Sequence, residues 1–194
     1  RGEVESSDLV DTLVAYWGRD YQKPIIDQKN IHAQRALNSL LDWIKQTTKR
    51  DRNITVFEYY SDHFMLSFLF PMLTQRIAKD MVEYKKLGIE RILNLVVPFV
   101  PKSGEAYSPG DGYNWRWVHG CNSFFFARSS WGESYEDIIE EYMHLFPSQT
   151  HHTIRELLFE VEHNVSPLTA WNIALFPARA VDPEKAAFPK QLDI

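Results

Sequence analysis

The chain has 194 residues and a formal net charge of −5, with 44% hydrophobic and 24% charged residues. These values are ordinary for a globular protein and predict one domain, or part of a larger one. The negative charge and the lack of a basic stripe exclude general binding to nucleic acid, and no apolar stretch approaches the length of a membrane span.

The first half of the sequence alternates between strand and helix patterns. Apolar spacing predicts a helix over 32–48 and another over 74–88, the second with Thr74 as its N-cap and Gly88 as its C-terminal stop. An alternation of this kind is typical of a parallel sheet. The β-branched and aromatic runs predict strands at Thr12–Trp17, Ile54–Tyr60 and Arg91–Val97.

The second half is predicted to be helical after one long loop, "VPKSGEAYSPGDGYN". Ser134 and Asp137 stand in the spacing of a capping box, which predicts a helix start. The helical patterns cover residues 122–131, 134–146, 152–163 and 166–176.

Three strand–helix units are too few for a complete eight-stranded barrel, which needs about 250 residues. The sheet is therefore either small and open, or the chain is the C-terminal portion of a barrel. The absence of an initiating Met favours the second alternative. We predict an α/β fold with a partial, TIM-barrel-like parallel sheet and an all-helical C-terminal third. Residues 1–120 would form the C-terminal half of the (β/α) barrel, and residues 121–194 a helical segment that packs on it.

An open sheet of this size leaves edges and an apolar face uncovered, which soluble proteins rarely tolerate. A homo-oligomer or a missing N-terminal barrel half is therefore expected to cover it.

Several chemistries are excluded by missing motifs. Cys121 is the only cysteine, so neither an internal disulfide nor a cysteine-based metal site is expected. The sequence has no phosphate loop, no dinucleotide glycine pattern and no serine elbow, and we predict no cofactor and no metal. One cysteine and no visible signal peptide slightly favour the cytoplasm, although a chain that begins with Arg1 says little about export.

The predicted strands end in polar and aromatic residues, as in "YWGRDY" and "EYYSD". In parallel α/β folds, chemistry gathers at the C-terminal ends of the strands. Aromatic faces beside carboxylates suit sugar rings, because the C–H faces stack on π systems while the hydroxyls take hydrogen bonds. Ordinary packing is the alternative. The candidate carbohydrate-binding residues at these ends are Tyr16, Trp17, Arg19, Tyr59 and Tyr60.

A glycosidase needs two carboxyl groups, about 5 Å apart for retention or about 6.5–9.5 Å apart for inversion. Glu58 and Asp62 would be roughly 13 Å apart on a continuous strand, so they pair only if the chain turns between them. Asp20 and Glu58 end adjacent strands and form the more natural pair, since directly paired strands lie about 4.8 Å apart. Arg19 could instead make Asp20 a salt-bridge partner.

Other polar and aromatic residues extend the candidate site. His63 could assist as an acid or base, although a lone loop histidine is more often polar surface. Asn94 lies within an apolar strand, so it either hydrogen-bonds inside the sheet or points to a ligand. Trp115 and Trp117 could form a stacking wall with Asn122 as a donor, with packing as the alternative.

Five parts of the chain match a known family pattern in order over residues 12–146: "YWGRDYQKPI", "FEYYSDHF", Pro71, "IAKDMVEYKKLGIERI" and "NSFFFARSSWGESYEDIIEEYMHLF". The residues at the positions of that pattern are Tyr59, Tyr60, Asp80, Tyr84, Gly88, Asn122 and Trp131. In these segments the chain resembles a bacterial family of unknown function that has a glycoside-hydrolase-like barrel and is often found with carbohydrate-active modules. The resemblance implies the C-terminal half of a barrel followed by helices, and it assigns no catalytic residue.

Two hypotheses about function follow. The first is a glycoside-hydrolase-like domain that acts on a carbohydrate by carboxylate acid/base catalysis. Glu58 would be its acid or base, with Asp20 or Asp62 as the partner. The alternative is a non-catalytic carbohydrate-binding or scaffold remnant of such a barrel, which keeps the aromatic surface without a working carboxylate pair.

Overall fold

The computed structural model describes residues 9–16, 19–29, 31–61, 72–96 and 116–165. Within these ranges the chain is a mixed α/β fold with three strands and five α-helices. The elements are β1 (Thr12–Ala15), α1 (Ile31–Lys49), β2 (Ile54–Ser61), α2 (Thr74–Lys86), β3 (Arg91–Val96), α3 (Arg116–Ser130), α4 (Tyr135–Met143) and α5 (His151–Val165), with a 3₁₀ turn at Ser148–Thr150.

The three strands form one parallel sheet in the order β1-β2-β3, which confirms the predicted strands and their direction. Val56 in the central strand lies opposite Val14 on one side and Ile92 on the other. The strands differ from the prediction only at their ends, because β1 ends at Ala15, β2 continues to Ser61 and β3 ends at Val96. The predicted terminal residues Trp17 and Val97 lie outside the described ranges.

Helices cover one face of this sheet. Val56, Glu58 and Tyr60 alternate along β2, so their side chains point to the same face, and all three are buried. The Tyr60 ring lies 6.1 Å from the ring of Phe126 in α3, and its hydroxyl bonds to Asp80 in α2. This face therefore carries the core that the sheet shares with α2 and α3.

Among the described residues, the opposite face of the sheet is open. Leu13 is 56% exposed and Leu93 is 48% exposed, and the strand register places them opposite Thr55 and Phe57. Phe57 and Tyr59 share this face, with ring centroids 5.3 Å apart. Parallel sheets usually have both faces covered, so the exposed leucines are unusual for this kind of sheet.

The ends of two helices test the predicted capping residues. Gly88 follows α2 with a φ of +75°, a conformation that glycine adopts without strain, and this confirms the predicted stop. Ser134 Oγ accepts from the backbone N–H of Asp137 at 3.2 Å, which confirms the capping box of α4. The predicted N-cap Thr74 is wrong, because Thr74 is the first residue of α2 and Leu73 precedes it without a side-chain cap.

The C-terminal helices share the core of the sheet. Cys121 and Phe125 of α3 are fully buried together with Met143 of α4, and α3 packs along α2. The predicted division between residues 120 and 121 falls inside α3, and the helix predicted over 166–176 lies outside the described ranges. Within the described ranges, no helix is both long enough and apolar enough to cross a membrane.

Candidate functional site

A fully buried arginine lies where β1 ends, between the sheet and α2. Arg19 donates through Nη1 to Oε1 of Glu58 at 2.7 Å and through Nη2 to Oδ2 of Asp80 at 2.7 Å. None of the three side chains is exposed. One guanidinium therefore bridges two carboxylates, a geometry that suits its planar fork of donors.

Three tyrosines complete the hydrogen bonding of the two carboxylates. Tyr21 donates to Oε2 of Glu58 at 2.8 Å, and Tyr84 donates to Oε1 of the same carboxylate. Tyr60 donates to Oδ2 of Asp80 at 3.0 Å. We call this set the arginine network: Arg19, Tyr21, Glu58, Tyr60, Asp80 and Tyr84.

Arg76 balances the charge of the arginine network, which has one guanidinium and two carboxylates. Arg76 adds a second guanidinium, with Nη1 3.4 Å from Oδ1 of Asp80. Burial raises the pKa of Asp80 to about 6, against the opposing effects of Arg19 and Arg76. Although burial disfavours the charge of Arg19, the carboxylates of Asp80 and Glu58 hold its pKa above the ordinary value. The guanidinium therefore stays charged.

The phenols of the network remain protonated donors. Burial, followed by the negative charge of Glu58, raises the pKa of Tyr21 and of Tyr84 well above the ordinary value. For Tyr60 the second cause is Asp80. Each hydroxyl therefore keeps its proton and directs it at a carboxylate. The Arg19 guanidinium also lies 4.6 Å from the ring centroid of Tyr21, a cation–π distance.

In the structure, the two residues of the predicted carboxylate pair, Asp20 and Glu58, have different roles. Glu58 is buried on the helix-covered face rather than at an accessible rim. Asp20 accepts at Oδ1 from the backbone N–H of Gln22 at 2.9 Å, and so shapes a turn. Arg19 pairs with Glu58 and Asp80.

The other predicted site residues that the structure describes have local partners. Tyr16 is buried and donates to the carbonyl oxygen of Ile25 at 2.8 Å. Asn94 accepts from the backbone N–H of Tyr60 at 3.0 Å and donates to Ser61 Oγ at 3.3 Å, so it hydrogen-bonds inside the sheet.

In α3, Asn122 is buried and accepts from the backbone N–H of Leu73 at 2.9 Å, whereas Trp117 is partly exposed. Tyr59 is half-buried on the open face of the sheet. Four predicted residues lie outside the described ranges: Trp17, Asp62, His63 and Trp115.

A cleft of about 300 Å³ opens beside the arginine network. Tyr21 of the network lines this cleft, and so does Arg76, which pairs with Asp80. Phe159 of α5 is 50% exposed, and its ring is stacked on His163 with centroids 5.9 Å apart. We call this cleft the α2 cleft. Its lining residues are Tyr21, Gln22, Gln75, Arg76, Lys79, Phe159, Glu162 and His163.

Glu162 connects α5 to the first turn of α2. Its Oε2 accepts from Thr74 Oγ1 at 2.8 Å and from the backbone N–H of Gln75 at 3.0 Å, and its Oε1 accepts from the backbone N–H of Arg76 at 3.0 Å. It thus supplies from another helix the cap that α2 lacks locally. Burial raises the pKa of Glu162 even though these hydrogen bonds oppose the shift.

Asp80 and Glu162 were not among the predicted site residues, although the sequence contains a signal for Asp80. Ile77, Asp80, Met81 and Tyr84 are spaced at i, i+3, i+4 and i+7, so Asp80 falls on the buried stripe of α2. A carboxylate on an apolar stripe indicates a buried partner. No comparable signal marks Glu162, because its contacts join segments that are distant in sequence.

Comparisons of the chain with protein-family models, with curated proteins and with solved structures found no match. In the part of the chain that the structure describes, no group of three or more histidine, cysteine or acidic side chains could hold a metal ion.

Proposed function

We propose that the chain binds a carbohydrate in the α2 cleft, as part of a glycoside-hydrolase-like barrel. The observation that carries this proposal is the half-exposed ring of Phe159, stacked on His163 beside hydrogen-bonding side chains. A sugar presents an apolar C–H face to such a ring and hydroxyls to the polar groups around it. A volume of about 300 Å³ is at the lower end for ligand pockets and suits a short saccharide.

The position of the cleft supports the same proposal. Tyr21 and Gln22 follow β1, and Gln75 and Arg76 lie in the first turn of the helix that follows β2. The cleft is therefore at the C-terminal ends of parallel strands, where parallel α/β folds bind their ligands.

The strand order supports the barrel part of the proposal. Consecutive strands are neighbours in the order β1-β2-β3, without the reversal of a doubly wound sheet. Helices lie on one face of this sheet, and an uncovered face with Leu13 and Leu93 would become the interior of a closed barrel.

Of the two hypotheses, the geometry favours carbohydrate binding without a catalytic role for Glu58 over hydrolysis by Glu58. Glu58 and Asp80 are bridged by Arg19 and have no exposed surface, so a glycosidic oxygen cannot reach either carboxyl group in this arrangement. Hydrolysis is a second candidate function with Glu162 as the general acid, because Glu162 lines the cleft and burial raises its pKa. The second carboxyl group that a glycosidase needs is not among the described residues that line the cleft.

The binding proposal is tested by isothermal titration calorimetry of the protein with a panel of neutral and acidic mono- and oligosaccharides. Phe159→Ala should weaken binding at least tenfold, because it removes the stacking surface. Leu157→Ala is the matched control, since Leu157 is similarly exposed on the same helix and does not line the cleft. Equal affinities of wild type and Phe159→Ala, or no binding by the wild type, would refute the proposal.

The hydrolysis proposal needs a separate assay on aryl glycosides and natural oligosaccharides. Glu162→Gln should abolish turnover while saccharide binding is largely kept, because stacking on Phe159 is unchanged. Turnover equal to that of the wild type would remove Glu162 from the mechanism.

A further inference from the structure

An exposed tryptophan stands on a fixed turn at the end of α3. Trp131 is 88% exposed, which is unusual for the largest apolar side chain. The turn is held by backbone hydrogen bonds from Trp131 to Arg128 at 3.1 Å and from Gly132 to Ser129 at 3.0 Å. Gly132 has a φ of +88°, so the turn requires glycine there.

Side-chain ion pairs fix the same turn from the other side. Arg128 donates through Nε to Oε2 of Glu133 at 2.9 Å, and it also pairs with Glu141 of α4. Trp131 is thus presented on a segment tied to two helices. A backbone held in place loses little conformational entropy when a ligand binds beside it.

Trp131 borders a cleft of about 510 Å³, larger than the α2 cleft. We call it the Trp131 cleft, and its lining includes Val82, Lys85, Glu90, Ser130, Trp131 and Glu133. Lys85 lies in the last turn of α2 and Glu90 precedes β3. The cleft is therefore at the N-terminal ends of the strands, at the opposite edge of the sheet from the α2 cleft.

The chemistry of the lining points to an uncharged polar ligand. Lys85 and Glu90 are both exposed and carry opposite charges, and Arg128 offsets the charge of Glu133, so neither an anion nor a cation is favoured overall. Ser129 also lines the cleft, and its buried Oγ has no hydrogen-bond partner in the described part of the chain. Apolar side chains line the cleft together with these polar ones, namely Ala78, Met81, Val82, Ile89 and Ile92, so the lining is mixed rather than wholly apolar.

We propose that the Trp131 cleft binds a neutral oligosaccharide, with one sugar ring stacked on the indole. The hydroxyls of such a ligand both donate and accept, which matches the ammonium of Lys85 and the carboxylate of Glu90. The volume of about 510 Å³ accommodates a longer saccharide than the α2 cleft does. This site is separate from the one proposed above and does not depend on it.

The test is affinity electrophoresis in native gels that contain one soluble polysaccharide each: xyloglucan, mixed-linkage β-glucan, galactomannan or polygalacturonate. We expect at least one neutral polymer to retard the wild type. Trp131→Ala should lower the affinity for this polymer at least tenfold. Trp131→Phe should retain part of the affinity, because a phenyl ring still stacks. Leu145→Ala is the control, since Leu145 is also an exposed apolar side chain and does not line the cleft.

The outcomes separate this inference from the proposal for the α2 cleft. Phe159→Ala should leave the retardation by the neutral polymer unchanged. The inference is overturned if no neutral polymer retards the wild type, or if Trp131→Ala binds as the wild type does. It is also overturned if Trp131→Ala changes only the sedimentation coefficient, because Trp131 would then contact another protein chain.

Discussion

Arg19 donates to Glu58 at 2.7 Å, and both side chains are fully buried although 39 positions separate them in the sequence. Burying an ion pair costs several kcal/mol per charge, and this cost is offset only when the geometry is good and the remaining hydrogen bonds are made. Here Asp80 and three phenols supply most of them, and the buried Nε of Arg19 is left without a hydrogen-bond partner among the described residues. The network joins the end of β1 to β2 and α2, and Tyr21 extends from it to the wall of the α2 cleft.

We expect Arg19→Met to destabilise the protein by about 3–5 kcal/mol, because two buried carboxylates lose their shared counter-ion. The free energy of unfolding in urea measures this. Arg128→Met is the matched control, since Arg128 pairs with Glu133 and Glu141 at a partly exposed site where ion pairs contribute about 0–1 kcal/mol. Equal unfolding free energies for the two variants would contradict a structural role for Arg19.

The second prediction concerns the pH dependence of stability. The pKa of Asp80 is raised to about 6 in the folded protein, above the value of about 3.9 in an unfolded chain. Between these values the folded state binds more protons, so the contribution of Asp80 to the free energy of unfolding is largest below about pH 4 and is lost as the pH rises through about 6. Carbon-13 NMR of the carboxyl carbon measures the pKa.

Asp80→Asn provides the stability measurement that matches this titration. The difference in unfolding free energy between wild type and variant should fall as the pH rises from about 4 to about 6, because the variant has no proton to lose there. A titration midpoint near 4, or a difference that does not change with pH, would contradict the raised pKa.

The order of the strands and helices could be predicted from the sequence because it depends on local patterns. The β-branched run Ile54–Phe57 predicts a strand whatever its partners are, and Gly88 ends a helix through its own backbone freedom. Glu58 is in phase with Ile54 and Val56, so strand alternation alone places it on their buried face. The polar and aromatic residues that follow it, two tyrosines and an aspartate, instead favour an accessible catalytic position for Glu58, and the structure does not place it there.

The partners of the charged residues could not be predicted in the same way. Arg19 is adjacent to Asp20 in sequence but bonds to Asp80, 61 positions away, because helix α2 brings that carboxylate over the end of β1. Glu162 bonds to Gln75 across 87 positions. Such pairs depend on how helices pack, and neither charge nor spacing in the sequence specifies that packing.

Glu162 is predicted to stabilise α2 as an external N-cap. Glu162→Ala should cost about 1–2 kcal/mol, because the backbone N–H groups of Gln75 and Arg76 lose their acceptor. Glu162→Gln should cost less, since its amide oxygen can still accept. Glu160→Ala is the control on the exposed side of α5, where about 0.5 kcal/mol or less is expected.

Urea unfolding gives the stability of these variants, and hydrogen exchange reports on the cap itself. In Glu162→Ala, the amides of Gln75 and Arg76 should exchange faster than in the wild type. Unchanged exchange at these two amides would show that the contact does not cap the helix.

The last prediction concerns the open face of the sheet. Leu13 and Leu93 are about half exposed on it, and a parallel sheet of three strands is expected to have such a face covered by a second copy of the chain or by further barrel strands. We expect the wild type to self-associate in sedimentation velocity, and the double variant Leu13→Lys and Leu93→Lys to shift towards monomer, because the charges would have to be desolvated at the contact. A monomeric wild type that binds the apolar dye ANS, with dye binding lost in the double variant, would favour further barrel strands as the natural cover. A stable monomer that binds no dye would contradict both forms of the prediction.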